Sequence, residues 1–271
     1  MTVKVIVTGP TGKMGKAMVR SAFGNPRMTV VGAVGPAGRD YIGSDIGMVC
    51  GLGKALGIPV TDSLDAVIGE CDIVMDCTRP EVSLRALECC VRNSKAFVSG
   101  TTGFTEEERA AFADAGRSIP VILAPNTSRM INLMFELIRE AAARIGHRAD
   151  IDIIDTFDRK KLDAPSGTAK DIAGIVSEEL GYDSKDYTYG REGMGVRKER
   201  SLAFNAIRSG GEPGSVKVIF GFEDEKMELS AHVYNMNTYA DGIIDAALHL
   251  EGKDPGLYDF KDVLAAPKPA G

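Results

Sequence analysis

The chain has 271 residues, 44% apolar and 26% charged, with a formal net charge of -6. That length exceeds what one hydrophobic core usually supports and suits two. The acidic balance excludes a general nucleic-acid binder, and no run reaches the roughly 18 apolar residues of a membrane span. The five cysteines form no CxxC pair and no metal-ligand spacing with histidine. No leader is read before the first apolar run. The expectation is a reduced, cytoplasmic protein acting on a small molecule, with no nucleic acid, membrane or metal involved.

The chain opens with VKVIVTG, an apolar β-branched run ending in glycine, as a strand buried on both faces does. A helix is predicted next over PTGKMGKAMVRSAF, where Met14, Ala17, Met18 and Ala22 share one face. MTVVGAVG reads as a second strand, SLDAVIGE as a short helix and CDIVMDCT as a third strand. PEVSLRALECCVRN follows as a helix with Pro80 in its first turn, and KAFVSGTTG as a strand. TEEERAAFADAGR is a helix that Thr105 can cap, and PVILAPN closes the series as a strand. Such alternation predicts an α/β, Rossmann-type, doubly wound parallel sheet.

Past Asn126 the rhythm changes to a long helix (MINLMFELIREAAARIG), a half-exposed strand (DIDIIDTFD) and a helix (AKDIAGIVSEELG). SLAFNAIRSGG and GSVKVIFGFEDEKMELSAHVY read as antiparallel strands with a turn near Glu223–Glu225. Residues 126–239 are therefore expected to form an α+β domain for substrate and oligomerisation. Residues 1–125 with 240–271 form the dinucleotide-binding domain, and the tail AAPKPAG is expected to fray.

Two segments carry anion chemistry. GPTGKMG, Gly9 to Gly15, is a G-x-x-G-x-x-G turn between the first strand and helix, where glycine lets backbone N–H groups approach a pyrophosphate. An acid that would hold a ribose 2'-hydroxyl is missing at the end of the second strand, where Gly35 and Pro36 stand. Arg39, Lys13 and Lys16 are suited to a 2'-phosphate, while Asp40 opposes it, so NADPH and NADH both remain open. In the fourth strand's loop, the backbone and hydroxyls of Thr101 and Thr102 are candidates for a nicotinamide amide or a carboxylate. DAPSGTA opens a later helix and can hold an anion beside Lys161, or Ser166 can simply cap it.

The order and spacing of VTGPTGKMGKAM, DCTRPE, SGTTGF, APN, KLDAPSGTA and GLYDFKDVL resemble the dihydrodipicolinate reductase family over nearly the full length. The resemblance implies an NAD(P)H-dependent oxidoreductase of lysine (diaminopimelate) biosynthesis, a substrate domain that closes on the cofactor domain, and a homotetramer. It implies a phosphate turn at Gly9, Gly12, Lys13, Met14 and Gly15 and a nicotinamide-facing loop at Gly100, Thr101 and Thr102; Arg39 and Asn126 are further candidate cofactor contacts. Substrate carboxylate contacts fall on Lys161, Ser166, Gly167 and Thr168.

The sequence departs from the family where chemistry is expected. The family's HHxxK begins with a histidine taken to donate the proton that accompanies hydride addition; Phe157 and Asp158 hold those two histidine positions. Lys161, Asp158 or water would then supply the proton. Arg129 and Met130 occupy a turn usually left open beside the nicotinamide. The strand ending AHVYNM presents His232, the one histidine expected to line the site; His147 and His249 are expected to be structural or solvated. Three readings follow: a reductase of this family acting on a cyclic imine or enamine (di)carboxylic acid with altered specificity, an authentic 4-hydroxy-tetrahydrodipicolinate reductase, or a silent nucleotide-binding paralogue.

Overall fold

The computed structural model describes residues 2–265; all but the first residue of the AAPKPAG tail lies outside the described residues. The chain divides into two compact units. One runs to Ser128 and resumes at Met236, and the other is Arg129–Asn235.

The first unit begins with β1 (Val3–Thr8), α1 (Lys13–Gly24), β2 (Met28–Val34), a short α2 (Ile46–Val49), β3 (Val60–Thr61) and β4 (Ile73–Asp76). It continues with α3 (Pro80–Arg92), β5 (Ala96–Ser99), α4 (Glu106–Ala115) and β6 (Pro120–Leu123). The second unit holds α5 (Arg129–Ile145), β7 (Asp150–Phe157), α6 (Gly167–Leu180), β8 (Tyr187–Tyr189), β9 (Leu202–Arg208), β10 (Gly214–Gly221) and β11 (Lys226–Val233). The chain then returns to the first unit with α7 (Asn237–Leu250), β12 (Gly256–Tyr258) and α8 (Phe260–Ala265).

The first unit is a seven-stranded parallel sheet in the order β12-β6-β5-β4-β1-β2-β3. Its central strands are apolar on both faces because both faces are covered. Val5, Val7, Met75 and Val98 join one core with Met18 and Ala22 of α1 and Ile243 of α7. Ile6, Val74, Phe97 and Val121 join the other with Leu87 of α3 and Phe112 of α4. The α4 cap is reciprocal: Glu108 N–H donates to the Thr105 hydroxyl and Thr105 N–H to the Glu108 carboxylate. The strand order reverses between β1 and β4, and such a switch point opens a crevice at the carboxyl ends of those strands. The helix predicted over SLDAVIGE is only a 3₁₀ turn, Ile68–Glu70, a segment interrupted by Gly69.

The second unit is a five-stranded mixed sheet in the order β11-β10-β7-β9-β8. β10 is antiparallel to β7 and β11, and Phe222 N–H donates to the Glu225 carbonyl at the hairpin turn. β9 is parallel to both β7 and β8, not antiparallel as predicted. The chain between β7 and β9 crosses over through α6, and a crossover returns a strand in the same direction. Alternation sorts the two faces. Ile151, Ile153, Phe204, Val216, Val218 and Phe220 are buried in one core with Ile138 of α5 and Ile172 and Val176 of α6. No described helix is long and apolar enough to cross a membrane.

Candidate functional site

The turn after β1 is built from backbone. Gly9 has φ of 63°, a left-handed conformation that favours glycine. Its N–H donates to the Val34 carbonyl, and its carbonyl accepts from Gly12 N–H at 3.1 Å. A Cβ on Gly15 would stand 2.0 Å from the Gly9 carbonyl oxygen, so the turn and the first helical turn close only with glycine at 15. Gly12 is the α1 N-cap and offers no side chain to cap it. The N–H groups of Lys13, Met14 and Gly15 lack intrahelical acceptors and carry the positive end of the helix dipole. Lys13 is exposed and Lys16 half-buried beside them.

Across the switch point, Asp76 at the end of β4 is fully buried among hydroxyls. It accepts from Thr8 at 2.5 Å, Thr78 at 2.7 Å and Thr101 at 2.7 Å. Thr101 also accepts the Thr78 N–H at 2.8 Å and is only 3% exposed. Its hydroxyl therefore ties the loop after β5 to the end of β4 and is engaged inside the unit. Thr102 is the exposed hydroxyl of that loop, and Gly100 N–H donates to the Asp76 carbonyl. Asn126, after β6, accepts the Ser128 N–H at 3.0 Å. Beside Asp76, burial pushes the Cys77 thiol up to about 12.

A cavity of about 1000 Å³ opens over these loops within the first unit, lined among others by Gly9, Gly12, Gly35, Arg39, Tyr41 and Thr78. The Tyr41 ring lies over Gly35, where a Cβ would come within 2.7 Å of it, so a larger residue there would require the ring to move. Arg39 and Asp40 are exposed at the rim. A clash-bound glycine turn, an uncapped helix start and an extended cavity fit a dinucleotide. Among the described residues no group of three or more His, Cys, Asp or Glu could hold a metal ion.

The second anion segment lies in the other unit, where β7 and β9 end. Ser166 is the α6 N-cap; its hydroxyl accepts the Ala169 N–H, and its own N–H donates to buried Asp155 at 3.1 Å. A Cβ on Gly167 would meet nothing within 4 Å, and Thr168 is half-buried next to it. Lys161 pairs with Asp163 at 2.8 Å, and that hydrogen bond holds the Asp163 carboxyl below its usual value. Arg208, which sequence reasoning missed, organises the segment. It pairs with Asp155 at 2.9 Å and donates to the Asp163 carbonyl at 2.7 Å.

The remaining candidates sort by position. Asp158 accepts the Lys160 N–H at 2.8 Å, so its carboxylate caps the turn leading to Lys161. Phe157 stands at the end of β7, in register with Arg208. Arg129 begins α5, and Met130 is exposed on it. His232 is not brought to Lys161 and Ser166. It pairs with Ser215, which pairs in turn with Thr156, on the face of the sheet opposite buried Asp155 and separated from β7 by β10.

A doubly wound unit with a glycine turn at its switch point, joined in one chain to a unit with a cation-flanked helix start, defines a dinucleotide-dependent oxidoreductase. Models of the dihydrodipicolinate reductase N-terminus and C-terminus match residues 3–127 and 130–264. The chain belongs to the dihydrodipicolinate reductase family and is an NAD(P)H-dependent oxidoreductase. It is 39% identical to 4-hydroxy-tetrahydrodipicolinate reductase of Geobacter metallireducens over 264 residues, 97% of this chain and 98% of the relative. The same identity over 264 residues relates it to the enzyme of that name in Pseudomonas fluorescens, over 96% and 98% of the two chains. Dipicolinate-bound dihydrodipicolinate reductase from Paenisporosarcina sp. TG-14 matches with a TM-score of 0.77 at 25% identity, over 97% of this chain and 99% of that one. An amine dehydrogenase from Mycobacterium smegmatis shares the fold at a TM-score of 0.67 and 15% identity.

Proposed function

We propose that the chain transfers hydride from NAD(P)H to a cyclic imine or enamine dicarboxylate. The observation that carries this reading is the α6 start, where a Cβ on Gly167 would meet nothing and the segment leading into the helix carries Lys161, paired with Asp163. Gly9, Gly12, Lys13, Met14 and Gly15 would hold the pyrophosphate, with Gly100, Thr102 and Asn126 further along the cofactor. Thr101 acts from behind, fixing the loop through Asp76. NAD(P)H supplies the hydride when bound; the chain's own work is to orient the acceptor through its carboxylates. Lys161, Ser166, Gly167 and Thr168 bind one carboxylate, and His232 is left outside this set.

Phenylalanine has no proton to give, so proton delivery falls to the Lys161 ammonium or to water. Losing a general acid typically costs 10² to 10⁴-fold, which need not end turnover. A pocket altered at Phe157 and Asp158 suits a related substrate. A second reading, authentic 4-hydroxy-tetrahydrodipicolinate reductase, is favoured by the 39% identity shared with several relatives of that name.

Following NADPH and NADH oxidation with freshly generated 4-hydroxy-tetrahydrodipicolinate, for wild type, Lys161→Ala and Phe157→His, separates these readings. The altered-substrate reading expects slow wild-type turnover that Lys161→Ala lowers further. A rate matching the family's histidine-bearing members establishes the second reading. Oxidation with no cyclic imino acid at all, despite tight NADPH binding, overturns both. For assembly we propose a homotetramer formed through the outer face of the five-stranded sheet, where Ile207 is 46% exposed. A monomeric mass by light scattering would contradict it.

A further inference from the structure

Phe157 stands where the family carries its proton-donating histidine, and its ring is occupied by cations. The Lys161 ammonium lies 4.7 Å from the ring centroid and the Arg208 guanidinium 5.4 Å. Both distances fall inside the roughly 6 Å within which an aromatic face attracts a cation. The register explains the Arg208 contact, because Phe157 and Arg208 are direct partners across the parallel pair of β7 and β9. The Lys161 contact follows from the Asp158 turn, which brings the chain back over the ring four residues later. The ring also lies close to the chain at Gly214, where a Cβ would come within 2.5 Å of it.

The charges around this ring are arranged unequally. Arg208 is fixed by buried Asp155 and by the Asp163 carbonyl. Lys161, apart from its contact with the ring, has one carboxylate partner among the described residues, Asp163, whose side chain is half-exposed. The carboxylate partner of this pair faces solvent, where an ion pair contributes little to stability. The Phe157 ring is the second group that contacts the Lys161 ammonium. An imidazolium at position 157 would be repelled by both cations, whereas a benzene ring offers them its negative face.

We propose that Phe157 is a positioning residue that has replaced the proton donor with a cation platform, holding Lys161 over its face beside Arg208 to receive a dianionic substrate. The inference rests on the carboxylate reading of the α6 start and adds to it. It accounts for an aromatic residue, rather than a small or polar one, at this position. It also gives Arg208 a role through Phe157 and Asp155.

The test replaces Phe157 with mono-, di- and trifluorinated phenylalanine, which keep the shape of the ring while draining charge from its face. Affinity for dipicolinate, the dianion used as probe, is read by calorimetry at each step, with Phe157→Leu and Phe157→Tyr alongside. Dipicolinate affinity is expected to fall stepwise along the series, by roughly three- to tenfold at trifluorination, with Phe157→Leu at least as weak and Phe157→Tyr close to wild type. Equal affinity along the series overturns the platform. A second readout needs no ligand: the Lys161 ε-methylene protons should be shifted upfield by the ring current in wild type and lose the shift in Phe157→Leu. Their absence from the ring-current region in wild type also overturns it. A wild type that shows the ring-current shift and yet binds no dipicolinate sinks the carboxylate reading and the substrate role of the platform together.

Discussion

The two helix starts proposed to hold the cofactor and the substrate are built in opposite ways. At α1 the backbone does everything: three glycines, no capping side chain, and a turn so tight that Gly15 has no room for a Cβ. At α6 side chains do most of the work. Ser166 caps the helix, Asp155 anchors Ser166, Arg208 anchors Asp155, and Lys161 adds a charge of its own. A pyrophosphate is large and multiply charged, and bare N–H groups with a helix dipole suit it. A carboxylate on a small ring must be oriented as well as held, and that needs groups fixed in position.

The sharpest way to break the contrast is to make one substitution at both starts. Gly15→Ala should be the most damaging change, because its Cβ would meet backbone at 2.0 Å. A loss of stability on the order of 4 kcal/mol in urea unfolding is expected, with NADPH binding abolished. Gly167→Ala should fold at wild-type stability or slightly better, since its Cβ meets nothing and alanine favours helix. Its cost should appear only as weaker dipicolinate binding.

Removing an anchor comes next. Arg208→Ala leaves the Asp155 carboxylate buried at 1% exposure without its cation, and breaking such a pair typically costs about 3–5 kcal/mol. An unfolding midpoint equal to wild type would contradict the role given to Arg208. Smaller still is Arg39→Ala at the cavity rim. It should weaken NADPH binding roughly tenfold, the worth of one charge-assisted hydrogen bond, while leaving NADH nearly unchanged; equal effects on both cofactors would remove Arg39 from the 2'-phosphate. The smallest effect is expected from Ser166→Ala, about 1 kcal/mol for a lost N-cap in urea unfolding.

The first unit was legible because its signals are local. Apolar runs, a glycine turn and a proline at a helix start each state their structure within a dozen residues. The second unit was less so, because its decisive facts are long-range. The direction of β9 depends on a crossover through α6 that alternation in SLAFNAIR does not register. Arg208 finds Asp155 across 53 residues, and nothing adjacent to either names the other. His232 looked promising as the histidine on a strand near the family's pocket, but a strand's inward parity is fixed by register, and here it sends Ala231 and Val233 inward. Thr101 looked free for a ligand because the carboxylate it serves lies 25 residues upstream and out of sight in the core.

The division of labour between the two helix starts is tested most directly by following backbone amide resonances of the full-length protein as NADPH and then dipicolinate are added. NADPH should shift the amides of Lys13, Met14 and Gly15, and dipicolinate those of Gly167 and Thr168 together with the Lys161 side chain. Dipicolinate perturbing the α1 amides while leaving Gly167 and Thr168 in place would contradict the account.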